Sequence, residues 1–228
     1  MSTDSRAAGE HSNSHAVGEH KHHFAHHFRD AAHEFLTTKE GVWLFMVTEV
    51  MMFGGLFVGY FIMHQNYPGM FAEGASHLDW RLGAINTVAL ILSSWTMALG
   101  IHFIQTGKRN QATFSLLFTI LCGFIFMGIK AIEYKAKIDH GLLPGNFFHA
   151  HEFEHANLPM YFGFYFCMTG LHGTHVLIGM GLITWVLIRH LKGEFDSEYY
   201  TPVEGVGIFW HIVDLIWIFL FPLLYLVG

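Results

Sequence analysis

Five apolar runs dominate this sequence: Gly41 to Met63, Leu82 to Thr106, Phe114 to Ile132, Met160 to Ile188 and Val203 to Val227. Each has about the twenty residues that cross roughly 30 Å of hydrocarbon. A backbone inside a bilayer must satisfy its own N–H and C=O groups, so runs of this length read as transmembrane helices. The fold expected is all-α, an integral membrane bundle of five transmembrane helices over residues 41–228. Hydrophobic residues are 52% of the chain and charged residues 13%, outside the soluble range. The formal net charge of -6, confined to tails and loops, argues against a nucleic-acid role, which needs a basic face.

Residues 1–40 form a polar, histidine-rich tail with no early apolar stretch of the kind a cleaved signal peptide carries, so the first spanning helix is expected to direct insertion. The tail before Lys21 reads as disordered. From Lys21 to Leu36, Phe24, Phe28, Ala31, Ala32, Phe35 and Leu36 recur at helical spacing, which predicts an amphipathic helix on the inner membrane surface before the chain turns in. His22 with His26, and His23 with His27, have the i, i+4 spacing of metal ligands, but no carboxylate or cysteine completes a site and a solvated polar face is the preferred reading.

The basic residues sort by side. A cytoplasmic N-terminus places Arg6, Lys21, Arg29, Lys39, Lys108, Arg109, Arg189 and Lys192 inside and leaves Arg81, Lys130, Lys135 and Lys137 outside. That asymmetry predicts the N-terminus in the cytoplasm and the C-terminus in the periplasm. The longest outer connection, Lys135 to Pro159, carries His140, His149, His151 and His155 and is expected to fold over the outer surface.

Ionisable groups inside hydrocarbon are costly and mark function by default. Glu49 lies near the middle of the first run, with no basic residue in that helix to pair with it. Its carboxyl is either protonated or faces a partner or water within the bundle. Two readings stay open: a neutral carboxyl bonded to another helix, or one that exchanges protons or shapes a lipid or partner site. His172 and His175 share a face of the fourth helix, and His211 and Asp214 a face of the fifth. These histidines, with His102, supply no matched ligand set from two helices, so interhelical hydrogen bonding is preferred to haem or copper ligation. Cys122 and Cys167 stand in different runs without metal-ligand spacing and read as buried small hydrophobes. The GxxxG step Gly55–Gly59, and Gly170, Gly173, Gly179 and Gly181, predict close helix approaches within the chain or against a partner.

From about Lys39 onward the chain resembles subunit III of the haem-copper terminal oxidases, most closely the cytochrome c oxidase type. The resemblance rests on LFMVTEVMMFGGLFVGYF around Glu49, INTVALILSSWTMALG from Ile85, GKRNQ from Gly107, KAIEY ending at Tyr134, MTGLHGTHVLIG from Met168 and FWHIVDLIWIFLFPLLYLVG to the C-terminus. It implies that Glu49 matches the family's carbodiimide-reactive membrane carboxyl, Glu133 the acidic residue closing the third helix, and His172, His175, His211 and Asp214 the polar positions of the last two helices. It also implies a subunit that binds no haem or copper, those lying in subunits I and II. Such a subunit packs on subunit I, holds phospholipid and supports proton uptake and turnover stability. The long family form has seven helices where this chain has five, so a lipid cleft needs helices from elsewhere. The histidine tail and the 135–159 loop have no matched counterpart.

The function expected is that of a non-catalytic subunit III in a proton-pumping cytochrome c oxidase of a bacterial inner membrane. Its expected partners are subunits I and II, with room for a subunit IV, a supercomplex, bound phospholipid and, through the complex, cytochrome c. Rival readings are subunit III of a quinol oxidase, an accessory subunit of nitric oxide reduction, and a small proton channel relaying through Glu49, His172, His175 and Asp214. The channel lacks the inverted repeats or broken helices that would support it.

Overall fold

The computed structural model describes residues 31–143, 157–195 and 199–227. They form six helices: α1 (Ala31–Asn66), α2 (Pro68–Ser76), α3 (Trp80–Gln105), α4 (Arg109–Asp139), α5 (Leu158–Leu191) and α6 (Thr201–Tyr225). Five are long and apolar enough to cross a membrane, α1 from Glu40 onward. No β-strand occurs among the described residues. Helices α3, α5 and α6 begin two residues before the expected runs, α4 five and α1 ten. α4 continues seven residues beyond the expected end at Ile132, to Asp139, and α1 is helical from Ala31. Helix α2 has no counterpart in the hydropathy pattern. The histidines before Ala31, and His149, His151 and His155, lie outside the described residues.

Sequence signals explain the boundaries. Pro68, Pro159 and Pro202 each stand in a first turn, where a missing N–H removes no helical bond. The Asp79 side chain accepts a hydrogen bond from the Arg81 N–H at the start of α3. Helices α3, α4 and α5 all stop by one device. Gly107, Gly141 and Gly193 take φ values of 72°, 67° and 81°, a conformation that costs a side-chain-bearing residue more than glycine. Each turn is closed by paired bonds back into its helix, such as Lys108 N–H to Phe103 C=O and Gly107 N–H to Ile104 C=O.

Helices α3 to α6 pack around a core centred on Trp210 and Trp217 of α6, both fully buried. The indole N–H of Trp217 donates to Thr87 at 3.1 Å and that of Trp210 to Ser93 at 3.0 Å, fixing α6 against α3. Gly179 admits α6 to α5, since a Cβ there would lie 2.7 Å from the Trp210 ring. The other expected glycine approaches are looser: Gly55, Gly173 and Gly181 would meet nothing within 4 Å. Cys122 is buried, but Cys167 is exposed on the bundle surface, contrary to the expectation for it. Helix α1 is the outlier in packing. Of its most apolar window 6% is buried, against 50% for α6, and Trp43, Leu44 and Met51 stand well exposed.

Candidate functional site

The ionisable residues picked out by the sequence fall into three groups, each built by a different set of helices. The first joins α1 to α5. Oε2 of Glu49 lies 2.9 Å from Nε2 of His175, both side chains nearly buried. The oxygen sits off the N–H axis, so the contact is an ion-pair approach rather than an aligned hydrogen bond. The other ring nitrogen of His175, Nδ1, lies 2.7 Å from the Leu171 carbonyl one turn back on α5. Phe53 meets the imidazole edge-on and Phe209 of α6 stacks on it. Glu49 therefore has its partner on another helix, one of the two alternatives that the sequence left open.

The second group lies toward the end of the bundle that carries α2. Glu133 accepts hydrogen bonds from Lys130 (3.0 Å), Tyr165 (2.9 Å) and Tyr225 (2.5 Å). Lys130 also donates to the Tyr225 hydroxyl at 2.7 Å and sits 4.7 Å from the centre of the Trp217 ring. Lys137, about two turns on along the same helix, donates to the His77 carbonyl. Lys130 and Lys137, both counted on the outer side, are each 7% exposed inside helix α4, and Lys137 lies in the helix rather than in the outer connection expected from Lys135 on. Lys130, Tyr165 and Tyr225 were not singled out from the sequence. The signal was the KAIEY segment, whose Lys and Glu stand three residues apart on one face.

The third group runs along α6. His211 Nδ1 lies 2.5 Å from Ser94 Oγ of α3. Asp214, one turn on, is buried facing Ser93 and Ser94 without an aligned hydrogen bond to either. His172 of α5 is fully buried between Phe126 and Trp217, and neither ring nitrogen meets a protein partner. Asn86 of α3 is equally buried and unpartnered. Buried polar atoms of this kind are met by ordered water. Across helices His211 pairs with a serine and His175 with a glutamate, while Asp214 pairs with neither histidine. His102 is exposed.

An apolar groove of about 460 Å³ opens between α1, α5 and α6, lined by Val42, Phe45, Ile178, Leu182, Val206 and Phe209. Among the described residues, no three His, Cys, Asp or Glu side chains converge as metal ligands would.

The model of one protein family, described as "Cytochrome c oxidase subunit III", matches residues 17–228. Among curated relatives, a "Probable quinol oxidase subunit 3" of Staphylococcus haemolyticus is 28% identical over 198 residues, covering 86% of this chain and 92% of the relative. The protein of that name from Staphylococcus epidermidis is 26% identical over 208 residues, covering 90% and 96%. A third, from Staphylococcus aureus, is 27% identical over 198 residues.

Proposed function

Because the chain belongs to the cytochrome c oxidase subunit III family, we propose that it is a non-catalytic, membrane-embedded subunit of an oxygen-reducing haem-copper oxidase. It packs on the subunits that hold haem and copper and sustains their turnover. The observation that carries this is the character of the interior. Three of its ionisable groups are taken up in contacts within the bundle, Glu133 by three donors, Glu49 by His175 and His211 by Ser94, while His172 and Asp214 are buried without a protein hydrogen bond. A wide apolar face of α1, with Trp43, Leu44 and Met51 outward, is left for lipid or a neighbouring subunit. The groove beside Phe45 and Phe209 has the size and apolar lining of an acyl-chain site.

The names of the relatives favour a quinol as the electron donor of the complex, in place of the cytochrome c expected from the sequence. Cytochrome c is the second reading, favoured by the description of the family as a whole. Donor oxidation takes place outside this chain, so its own residues serve either complex in the same way. We further assign the chain to a bacterial inner membrane with the N-terminus inside, on the distribution of Lys and Arg. Two members of the outer set, Lys130 and Lys137, are buried helix residues and carry less weight in that count.

Purification through a tag on this chain tests the proposal. Haem-copper absorbance and oxygen consumption should travel with the tag, and the preparation should oxidise a quinol analogue. Oxidation of reduced cytochrome c but not quinol would select the second donor. A colourless preparation inert toward both would refute the assignment.

A further inference from the structure

The outward faces of the long helices differ in what they ask of their surroundings. On α1 the exposed Trp43, Val47, Met51, Val58 and Ile62 are all apolar, and the Thr48 hydroxyl is turned back on the Phe45 carbonyl of its own helix. On α5 the exposed Thr174 donates to the Gly170 carbonyl in the same way. Lipid tails suffice for such faces, since no polar group is left unmet. Helix α6 is different. Glu204, Ile208, His211, Leu215 and Ile218 recur at helical spacing along one stripe, and each is partly or well exposed. His211 lies near the middle of this span. Its Nδ1 lies 2.5 Å from the Ser94 hydroxyl of α3, while its Nε2 is neither buried nor hydrogen-bonded among the described residues. The Ser94 hydroxyl can serve either tautomer, so Nε2 presents an N–H or a lone pair. Hydrocarbon answers neither, and headgroups with their water lie about 15 Å from the middle of a bilayer.

We infer that the seam of α3 and α6 around His211 docks against a transmembrane helix of the subunit that holds haem and copper, and that this helix presents a hydroxyl or carboxamide side chain to Nε2. Either group can donate and accept, so it serves both tautomers. A charged partner is costly at this depth, and an aliphatic one leaves the nitrogen unmet. The rest of the seam suits a protein neighbour. Ile91 and Trp95, beside Ser94 in α3, and Leu215, one turn beyond His211, stand well exposed. Ala98, one turn from Ser94, is exposed too and small enough to let a second backbone come close. About 10 Å along the axis toward the start of α6, Glu204 accepts from Gln105 of α3 at 3.2 Å, so the stripe is polar at two depths. The docking face rests on the reading of this chain as an oxidase subunit, and adds to it which side meets the partner and by what chemistry.

Photo-crosslinking of the full complex in its membrane, before detergent, tests the face. Cys167→Ser removes the exposed native thiol, and a benzophenone is carried on either Leu215→Cys or Met51→Cys, the latter on the outward side of α1. Leu215→Cys should yield adducts with a transmembrane peptide of the haem- and copper-bearing subunit, whereas Met51→Cys should yield lipid adducts. Lipid alone at Leu215, a peptide of this chain or of a second copy there, or equal yields of the partner peptide from both positions would overturn the assignment. The chemistry at Nε2 is read by retention of that subunit through a graded detergent wash. His211→Gln can donate and accept and should hold it as the native chain does. His211→Leu can do neither and should weaken retention about three- to fifteen-fold, the fold-change of one interhelical hydrogen bond. Ser94→Ala, which leaves Nε2 in place, should stay near the native value. Equal retention in His211→Gln and His211→Leu, or a loss in Ser94→Ala as large as in His211→Leu, would mean that the partner does not bond to Nε2. Haem absorbance that travels with this chain while Leu215 meets only lipid would sink the docking face alone; a colourless preparation would sink the oxidase reading itself.

Discussion

Glu133 and Glu49 are both carboxyls within helices long and apolar enough to cross a membrane, and the structure treats them in opposite ways. Glu133 is 3% exposed and surrounded by donors from three helices: Lys130 of its own helix, Tyr165 of α5 and Tyr225 of α6. Glu49 faces a single histidine on a helix that otherwise touches the bundle sparsely, beside a groove. The first arrangement locks, because both carboxylate oxygens are engaged and losing either member of the Lys130–Glu133 pair strands a buried charge. The second rests on one close approach between two helices. The same residue type therefore serves as a rivet at one end of the bundle and as a single-point contact at its edge.

The largest expected effect comes from breaking the rivet. Glu133→Ala strands Lys130 at 7% exposure, and removing one member of a buried pair costs about 3–5 kcal/mol. Detergent-induced unfolding of the subunit should show that loss, and the double variant Lys130→Met with Glu133→Leu should recover most of it. Less severe is Gly179→Ala, whose methyl would press on the Trp210 ring from 2.7 Å; overpacking of this sort costs about 1–3 kcal/mol. Glu49→Ala should cost about 1 kcal/mol, the scale of an interhelical polar contact in a membrane. If it destabilises as much as Glu133→Ala, the contrast between the two carboxyls is wrong. The smallest effect is Ser94→Ala, which removes the His211 contact and should cost about 0.6 kcal/mol.

Length and hydropathy made the five spans readable, because a helix that must cross hydrocarbon cannot hide its twenty apolar residues. Its stops were readable in principle at Gly107, Gly141 and Gly193, each of which has the left-handed backbone that ends a helix. Helix α2 was not readable. Nine residues from Pro68 to Ser76 carry too short a pattern, and its burial comes from contacts such as Phe71 with Tyr60 and Tyr161 that are distant in sequence. The end of α4 was misplaced because the apolar run stops at Ile132 while the helix continues. Lys130 and Lys137 were counted among the outer charges because a lysine reads as exposed unless its partners are known; here they are Glu133, Tyr225 and the His77 carbonyl. Glu49 and His175 were each singled out, but nothing in one sequence said that they meet. Pairing across helices depends on how α1 leans on α5, and that is a property of packing rather than of either segment.

The claim that this chain sustains an oxidase without taking part in its redox chemistry is tested most directly by oxygen consumption followed over time, in the intact complex and in the complex stripped of this subunit. The stripped enzyme should start near the intact rate and then lose activity over successive turnovers, faster than the intact enzyme does. Inactivity from the first turnover, with haem and copper still fully in place, would contradict the account.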